Sequence, residues 1–259
     1  MSSLTLSPHA KVNLGLFIKG KREDGYHLLE TLLYPVFELQ DQLILSANDS
    51  DSSALELVGI ELEGDMEDNL CLKAWRALKK LVPDLPAVHI QLLKKIPAGA
   101  GLGGGSSDAA FTLLGLNQLF NLGLSNEDLH PIAANLGADV PFFLYDEPML
   151  AKGTGTDLEP FDLRQGFELK VFPQPIHSST IAAYKALNYQ EFDPERNLKE
   201  VLNQPIQTWR KNLSNDLEVP VFKQYPELAE FKRELYAQGA VYAAMSGSGS
   251  AMLGLYPHE

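Results

Sequence analysis

A glycine-rich stretch carries the clearest chemical signal in this sequence. Five glycines fall within residues 99–105, and Ser106, Ser107 and Asp108 follow them directly. Glycine lets the backbone approach a ligand closely and adopt positive φ at little steric cost. An apolar helical pattern begins at once after this stretch, and a helix start offers unpaired N–H groups and a partial positive charge. The combination predicts an anion site, most simply for the phosphates of a nucleotide.

The residues around these glycines separate several kinds of phosphate loop. A Walker A loop requires Gly-Lys-Ser/Thr, whereas Gly105 is followed by Ser106. Gly99, Gly101 and Gly104 have the spacing of a dinucleotide fingerprint, but two successive helical patterns replace the βαβ unit which that motif requires. A protein-kinase loop would be accompanied by H-R-D and D-F-G, which do not occur in the sequence. The structural alternative is a glycine-rich surface loop without a ligand.

The elements that must position this loop follow from the spacing of apolar residues. We expect strands within residues 11–19, 26–45, 54–60, 88–92, 140–145, 149–152, 167–172, 240–245 and 251–256. We expect helices at residues 70–81, with Asn69 as the cap, and at 109–120, 125–136, 181–187, 198–210 and 227–238. The sequence therefore predicts an α+β protein in two parts, with a boundary near residues 145–160.

Composition excludes some classes of function. The 259 residues are 45% hydrophobic, and the formal net charge of −13 argues against a nucleic-acid-binding surface. No window approaches 18 consecutive apolar residues, and the N-terminus lacks a signal pattern. The single cysteine, Cys71, lies between two leucines and is expected to be a buried apolar residue. We expect a cytoplasmic protein that binds neither a membrane nor nucleic acid.

Several motifs resemble those of one family. Residues 97–110, P-A-G-A-G-L-G-G-G-S-S-D-A-A, resemble the phosphate loop of the GHMP kinases, which include galactokinase, homoserine kinase and mevalonate kinase. H-A-K-V-N-L at 9–14, D-G-Y-H at 24–27 and L-G-A-D-V-P-F at 136–142 resemble further family motifs in the same order. M-S-G-S-G-S at 245–250 resembles the second glycine loop of the superfamily. His9 departs from the usual proline, and the chain stops soon after its last predicted strand.

The resemblance implies a fold and a reaction. The fold would be the two-domain α+β GHMP kinase fold with a deep cleft between the domains. Its ATP-binding domain, ribosomal protein S5 domain 2-like, would span residues 1–150, and an α/β sandwich on the substrate side would span 151–259. The triple glycine before S-S-D resembles the narrower group that phosphorylates a cytidine diphosphate ester of methylerythritol with ATP. The implied protein is a monomer or a homodimer. A homoserine or mevalonate type of kinase, or a non-catalytic nucleotide-binding regulator, are the alternatives.

The same resemblance implies two catalytic residues. Asp139 would activate the acceptor hydroxyl, and its place after the helix-ending Gly137 suits a side chain that projects into a cleft. Lys11 would keep the Asp139 carboxylate ionised and stabilise charge at the acceptor oxygen. Without the family, Lys11 is better interpreted as a solvated surface group. The structural alternative for Asp139 is a residue that caps a turn. Asn13 shares a strand face with Lys11 and would contact the substrate, as would Asp139 itself.

The implied ATP-binding residues surround the glycine loop; they are Pro97, Gly99, Gly101, Gly103, Gly104, Gly105, Ser106 and Ser107. Asp108 would reach the Mg²⁺ that accompanies the nucleotide, directly or through water, because Mg²⁺ favours carboxylate, phosphate and water oxygens. An equally simple interpretation of Asp108 is an acid in the first turn of the helix, where it would interact favourably with the helix dipole.

Residues for the cytidine group are implied elsewhere in the chain. Tyr26 would stack on the cytosine ring, and His27 would hydrogen-bond to it. Gly247 would line the acceptor site or brace the first glycine loop, and a tight hairpin turn is the structural alternative. The pair Ser179-Thr180 would border the cytidine pocket.

Overall fold

The computed structural model describes residues 2–50, 52–60 and 65–258 of the chain. The strands are β1 (Ser3–Leu6), β2 (His9–Lys21), β3 (His27–Gln40), β4 (Gln42–Asn48), β5 (Ala54–Gly59), β6 (Ala87–Lys94), β7 (Met149–Gly153), β8 (Asp157–Pro160), β9 (Glu168–Phe172), β10 (Tyr242–Met245) and β11 (Met252–Tyr256). The helices are α1 (Leu70–Leu81), α2 (Gly104–Leu119), α3 (Asn126–Leu136), α4 (Thr180–Lys185), α5 (Leu198–Leu202), α6 (Trp209–Asn212), α7 (Glu218–Gln224) and α8 (Pro226–Ala237). None of the helices described is long and apolar enough to cross a membrane.

The chain forms two compact units, and each contains several separate stretches of sequence. Unit 1 consists of Met1–Lys11, Pro35–Ala98 and Gly103–Asp146, and unit 2 of Val12–Tyr34, Gly99–Leu102 and Glu147–Glu259. The last passage from one unit to the other, after Asp146, lies within the boundary region expected from the sequence. The division into domains at residues 1–150 and 151–259 stays a prediction, because the compact units are interleaved along the chain.

Unit 1 contains a four-stranded sheet in the order β1-β4-β6-β5. Strand β4 runs antiparallel to β1 and β6, and β5 runs parallel to β6. Val88, Ile90 and Leu92 are fully buried, whereas the residues between them are partly exposed, which confirms the alternation seen in the sequence. Helix α2 packs on β4 and on α1 and α3. The sheet and these helices thus form the support for the helix that follows the glycine loop.

The starts of the helices in unit 1 follow their sequence signals. The Asn69 side chain accepts a hydrogen bond from the Cys71 backbone and caps α1, as expected. Ser125 and Asp128 form a capping box at the start of α3. Helix α2 begins at Gly104, five residues before the predicted start, because Gly103 adopts the left-handed conformation and turns the chain into the helix. Cys71 is fully buried, as its apolar neighbours predicted.

Unit 2 is built around a buried cluster of apolar side chains. Strands β10, β11 and β9 form an antiparallel sheet in that order, and β3 pairs with β7, which pairs with β8. Met245 and Met252 on the first of these sheets pack with Leu228 and Leu235 of α8, and all four are at most 2% exposed. Burial of such side chains is the main stabilising contribution to the unit.

Two predicted elements are wrong, for identifiable reasons. Residues Val140–Leu144 form a 3₁₀ turn rather than a strand. All five are buried, and periodicity cannot assign an unbroken apolar run, while Pro141 fixes φ and lacks a donor for a sheet. The predicted helix at 198–210 is divided into α5, a 3₁₀ turn and α6, because Pro205 disfavours helical geometry in the preceding residue. Strands β1 and β8 and helix α7 were not predicted.

Candidate active site

The first part of the glycine loop lies in unit 2, against the turn between β10 and β11. Ser246 Oγ donates a hydrogen bond to the Gly101 carbonyl over 2.9 Å, and the Ala251 N–H donates to the Ala100 carbonyl over 3.0 Å. Gly101 has a φ of +77°, and a Cβ at this position would overlap the Ser246 carbonyl oxygen. The second glycine loop therefore contacts the first, and only glycine fits at Gly101.

The second part of the loop lies in unit 1 and leads into α2. Gly103 has a φ of +72°, and a Cβ there would lie 2.9 Å from the Phe143 ring and 3.0 Å from Lys11 Cγ. The helix start thus lies beside Lys11. Ser107 is fully buried, and its Oγ has no hydrogen-bond partner within the described part of the chain. An unsatisfied hydroxyl together with the free N–H groups of a first helical turn fits a phosphate group.

Lys11 and Asp139 form an ion pair in unit 1, as the family resemblance implied. Lys11 Nζ lies 3.1 Å from Asp139 Oδ2. The lysine side chain is 4% exposed, while the aspartate side chain is 38% exposed. Asp139 is therefore open to a small molecule on one side and held by a cation on the other. This arrangement can accept a proton from a bound hydroxyl and stabilise the resulting negative charge.

An aromatic cluster supports the segment that follows Asp139. His9 is 2% exposed and packs edge-on against Phe37, Phe111 and Phe142 and at a tilt against Phe143. Its Nδ1–H donates to the Ala10 carbonyl over 2.8 Å. The residue that replaces the usual proline of the family thus packs on the turn that carries Asp139.

Asp108 lies in a buried ion-pair cluster. Its Oδ2 is 2.7 Å from Lys94 Nζ, and Lys94 also contacts Asp41. Burial raises the pKa of Asp108 to about 7, although the charge of Lys94 acts in the opposite direction. Burial lowers the pKa of Lys94, but the two carboxylates outweigh it and raise that pKa above its ordinary value. Within the described ranges, no three His, Cys, Asp or Glu side chains are grouped as metal ligands, so ligation by Asp108 stays a prediction.

Asn13 and Gly247 lie together in unit 2. The Asn13 side chain donates to Thr31 Oγ1 over 2.9 Å, and its backbone N–H donates to Ser246 Oγ over 3.2 Å. A Cβ on Gly247 would lie 3.2 Å from Asn13 Oδ1. The sequence did not reveal Asn215, whose buried amide donates to the carbonyls of Met245 and Gly247 over 2.8 and 2.7 Å. This amide fixes the second glycine loop, and nothing in its largely polar surroundings, N-L-S-N-D-L-E at 212–218, distinguishes it in the sequence.

His27 lies among tyrosines in unit 2. Its ring centroid is 4.6 Å from that of Tyr184 and 5.9 Å from that of Tyr189, to which it is nearly parallel. Burial and the nearby charge of Lys21 lower the pKa of His27, so the ring is neutral at neutral pH. Tyr26 is 66% exposed. These aromatic faces can stack on a flat heterocycle, and Tyr189 is a member that sequence motifs did not indicate.

Comparisons with known proteins give a consistent result. Two family models match, one described as the GHMP kinases N terminal domain at residues 69–147 and one as GHMP kinases C terminal at 197–259. A protein of Bacteroides fragilis named 4-diphosphocytidyl-2-C-methyl-D-erythritol kinase is 47% identical over 255 residues, covering 97% of this chain and 92% of the relative. A protein of Porphyromonas gingivalis with the same name is 44% identical, covering 96% and 90%.

Solved structures show the same relationship. A crystal structure of 4-(cytidine 5'-diphospho)-2C-methyl-D-erythritol kinase is similar with a TM-score of 0.82 and 37% identity, covering 97% of this chain and 90% of the other. A crystal structure of mevalonate kinase is similar with a TM-score of 0.72, covering 98% and 91%, but at 15% identity it supports the fold alone.

Proposed function

Because this chain belongs to the GHMP kinase family, we propose that it transfers the γ-phosphoryl group of ATP to the 2-hydroxyl of 4-diphosphocytidyl-2-C-methyl-D-erythritol. The products are the 2-phosphate and ADP, in the non-mevalonate isoprenoid pathway. The observation that carries the reaction type is the Lys11–Asp139 pair, which lies beside Gly103 at the start of α2. Similarity to relatives of that name over nearly the whole chain supports the substrate.

Each catalytic group has a role that its surroundings support. Asp139, which is partly open to solvent, orients the acceptor hydroxyl and takes its proton as the new O–P bond forms. Lys11 pairs with this carboxylate and stabilises charge at the acceptor oxygen. The N–H groups at the start of α2 bind phosphate oxygens, as does Ser107 Oγ, which has no hydrogen-bond partner among the described residues. Bound ATP supplies the phosphoryl group, and an accompanying Mg²⁺ would neutralise phosphate charge.

The substrate proposal has support from the second unit. His27, neutral and flanked by Tyr184 and Tyr189, offers stacking surface and ring nitrogens for a cytosine. Asn13 lies beside Gly247 and two residues after Lys11, and we assign it to substrate contact. Action in the cytoplasm is part of the same proposal, because the buried single cysteine suits a reducing compartment.

An assay of ADP release tests the proposal. The purified protein is given ATP and Mg²⁺ with 4-diphosphocytidyl-2-C-methyl-D-erythritol, with homoserine or with mevalonate. We expect turnover with the first alcohol and none with the others. Turnover of another alcohol alone would overturn the substrate, and ATP binding without turnover of any alcohol would favour a non-catalytic regulator.

A further inference from the structure

The buried cluster of Asp41, Lys94 and Asp108 is not explained by the reaction described above. All three side chains belong to unit 1 and are at most 3% exposed. One lysine faces two carboxylates, and burying such charges is costly unless each is paired and hydrogen-bonded. Asp41 meets this requirement, because its Oδ1 also accepts the backbone N–H groups of Lys95 and Ile96. Asp108 depends on Lys94 for this pairing, because its Oδ1 has no hydrogen-bond partner within the described part of the chain.

The positions of these residues along the chain place them on either side of the glycine loop. Lys94 ends β6, five residues before Gly99, and Asp108 lies in α2, three residues after Gly105. The contact between Lys94 Nζ and Asp108 Oδ2 therefore closes the segment of residues 95–107 at its two ends. Asp41 holds the upstream end through the two backbone N–H groups at residues 95 and 96.

We propose that Asp108 is a positioning residue, which through Lys94 fixes the ends of the glycine loop and preorganises the first turn of α2 for phosphate. A loop with so many glycines loses much conformational freedom on becoming ordered. When that ordering occurs on folding rather than on binding, the nucleotide binds more tightly. That the ligand is a nucleotide rests on the proposed function. The clasp, which is the Lys94–Asp108 ion pair that joins the two ends of the loop, does not depend on it.

Asp108 would affect nucleotide binding differently if it were a metal ligand rather than a positioning residue. A magnesium ligand affects nucleotide binding only when the metal is present, whereas a clasp affects binding with and without metal. A clasp also leaves the reacting groups, Lys11 and Asp139, unchanged. The Kd of ADP, measured with Mg²⁺ and with a chelator, therefore separates the two roles.

The experiment compares Asp108→Ala with Asp108→Asn by calorimetry of ADP binding and by steady-state kinetics. Asp108→Ala removes the acceptor for Lys94 and should raise the Kd of ADP about tenfold or more under both metal conditions, as for a lost charged hydrogen bond. The kcat at saturating ATP should change much less. Asp108→Asn keeps an oxygen that accepts from Lys94 and should bind ADP like the wild type. Asp162→Ala, which removes an exposed partner of Arg164, is the matched control.

Several results would overturn the clasp. These are an unchanged Kd in Asp108→Ala, a loss of affinity only when Mg²⁺ is present, or a lower melting temperature with wild-type affinity. If Asp108→Ala does not fold, Asp108→Ser replaces it, because the serine side chain is too short to reach Lys94. Hydrogen exchange at the amides of residues 103–107 requires no nucleotide, and it should be faster in either variant than in Asp108→Asn. Wild-type protein that failed to bind ADP would count against the proposed function, while slow exchange in every variant would count against the clasp.

Discussion

Replacement of Gly101 by alanine should disable the enzyme while leaving most of the fold intact. The left-handed conformation of this residue, with φ of +77°, costs a residue with a Cβ about 1–2 kcal/mol. The new Cβ would also overlap the Ser246 carbonyl oxygen and lie 3.0 Å from the carbonyl carbon. Because both partners are backbone, one of the two glycine loops must move. A displacement of about 1 Å in a catalytic site can cost about a hundredfold in rate, and we expect kcat/KM to fall by about that much.

Gly123→Ala provides a control that introduces the same backbone strain without a steric overlap of the new Cβ. Gly123 has a φ of +71°, and a Cβ there would meet no atom within 4 Å. Both variants should therefore lose a similar amount of stability from backbone strain, while only Gly101→Ala should lose activity. The assay is ADP release with the proposed substrate, accompanied by thermal unfolding of each variant. Equal activity of the two variants would refute the reasoning, because it would show that the contact between the glycine loops does not position bound phosphate.

Two further predictions concern charged groups in unit 1. Asp139→Asn should lower kcat by about 10²–10⁴-fold with nearly unchanged ADP affinity, since it removes the proposed base and keeps its shape; equal loss of both would show a structural role. Asp108 has a pKa of about 7 in the folded protein against an ordinary value of 3.8, so the folded state holds this proton more tightly and its free energy of unfolding falls as pH rises between about 4 and 7. Asp108→Asn lacks this dependence, so its free energy of unfolding relative to that of the wild type should rise by at most about 4 kcal/mol over that pH range, as measured by urea unfolding. Parallel curves of unfolding free energy against pH for the two proteins would contradict the raised pKa.

Local signals in the sequence predicted much of the fold. The Asn69 cap and the strand at residues 88–92 each depend on neighbours in the chain, and the structure confirms them. The segment Val140–Leu144 was predicted as a strand because an unbroken apolar run carries no period. The segment forms a 3₁₀ turn because of Pro141 and because all five of its side chains are buried, and the spacing of apolar residues in the sequence does not show either effect.

The candidate site shows the same distinction. The glycine loop was recognised from its composition, and the ion pair of Lys11 and Asp139 was expected only from the family motifs. The partners of Lys94 were not foreseen, because Asp41 is 53 positions away in the chain. The role of Asn215 was also missed, since it contacts a loop about 30 positions further on. Contacts between distant segments are fixed by packing, and a single sequence carries no spacing signal for them.

The interleaving of the two units has a consequence for dividing the protein into fragments. The chain passes between units after Lys11, Tyr34, Ala98, Leu102 and Asp146. A cut after Asp146 therefore leaves the fragment 147–259 without residues 12–34 and 99–102, which contain most of β2 and half of β3. The fragment 1–146 contains every stretch of unit 1, whereas unit 2 is complete only when both fragments are present, so the two fragments should complement each other when mixed. A chimera that exchanges unit 2 between relatives must exchange three stretches of gene, the first of which begins at the codon directly after that of Lys11.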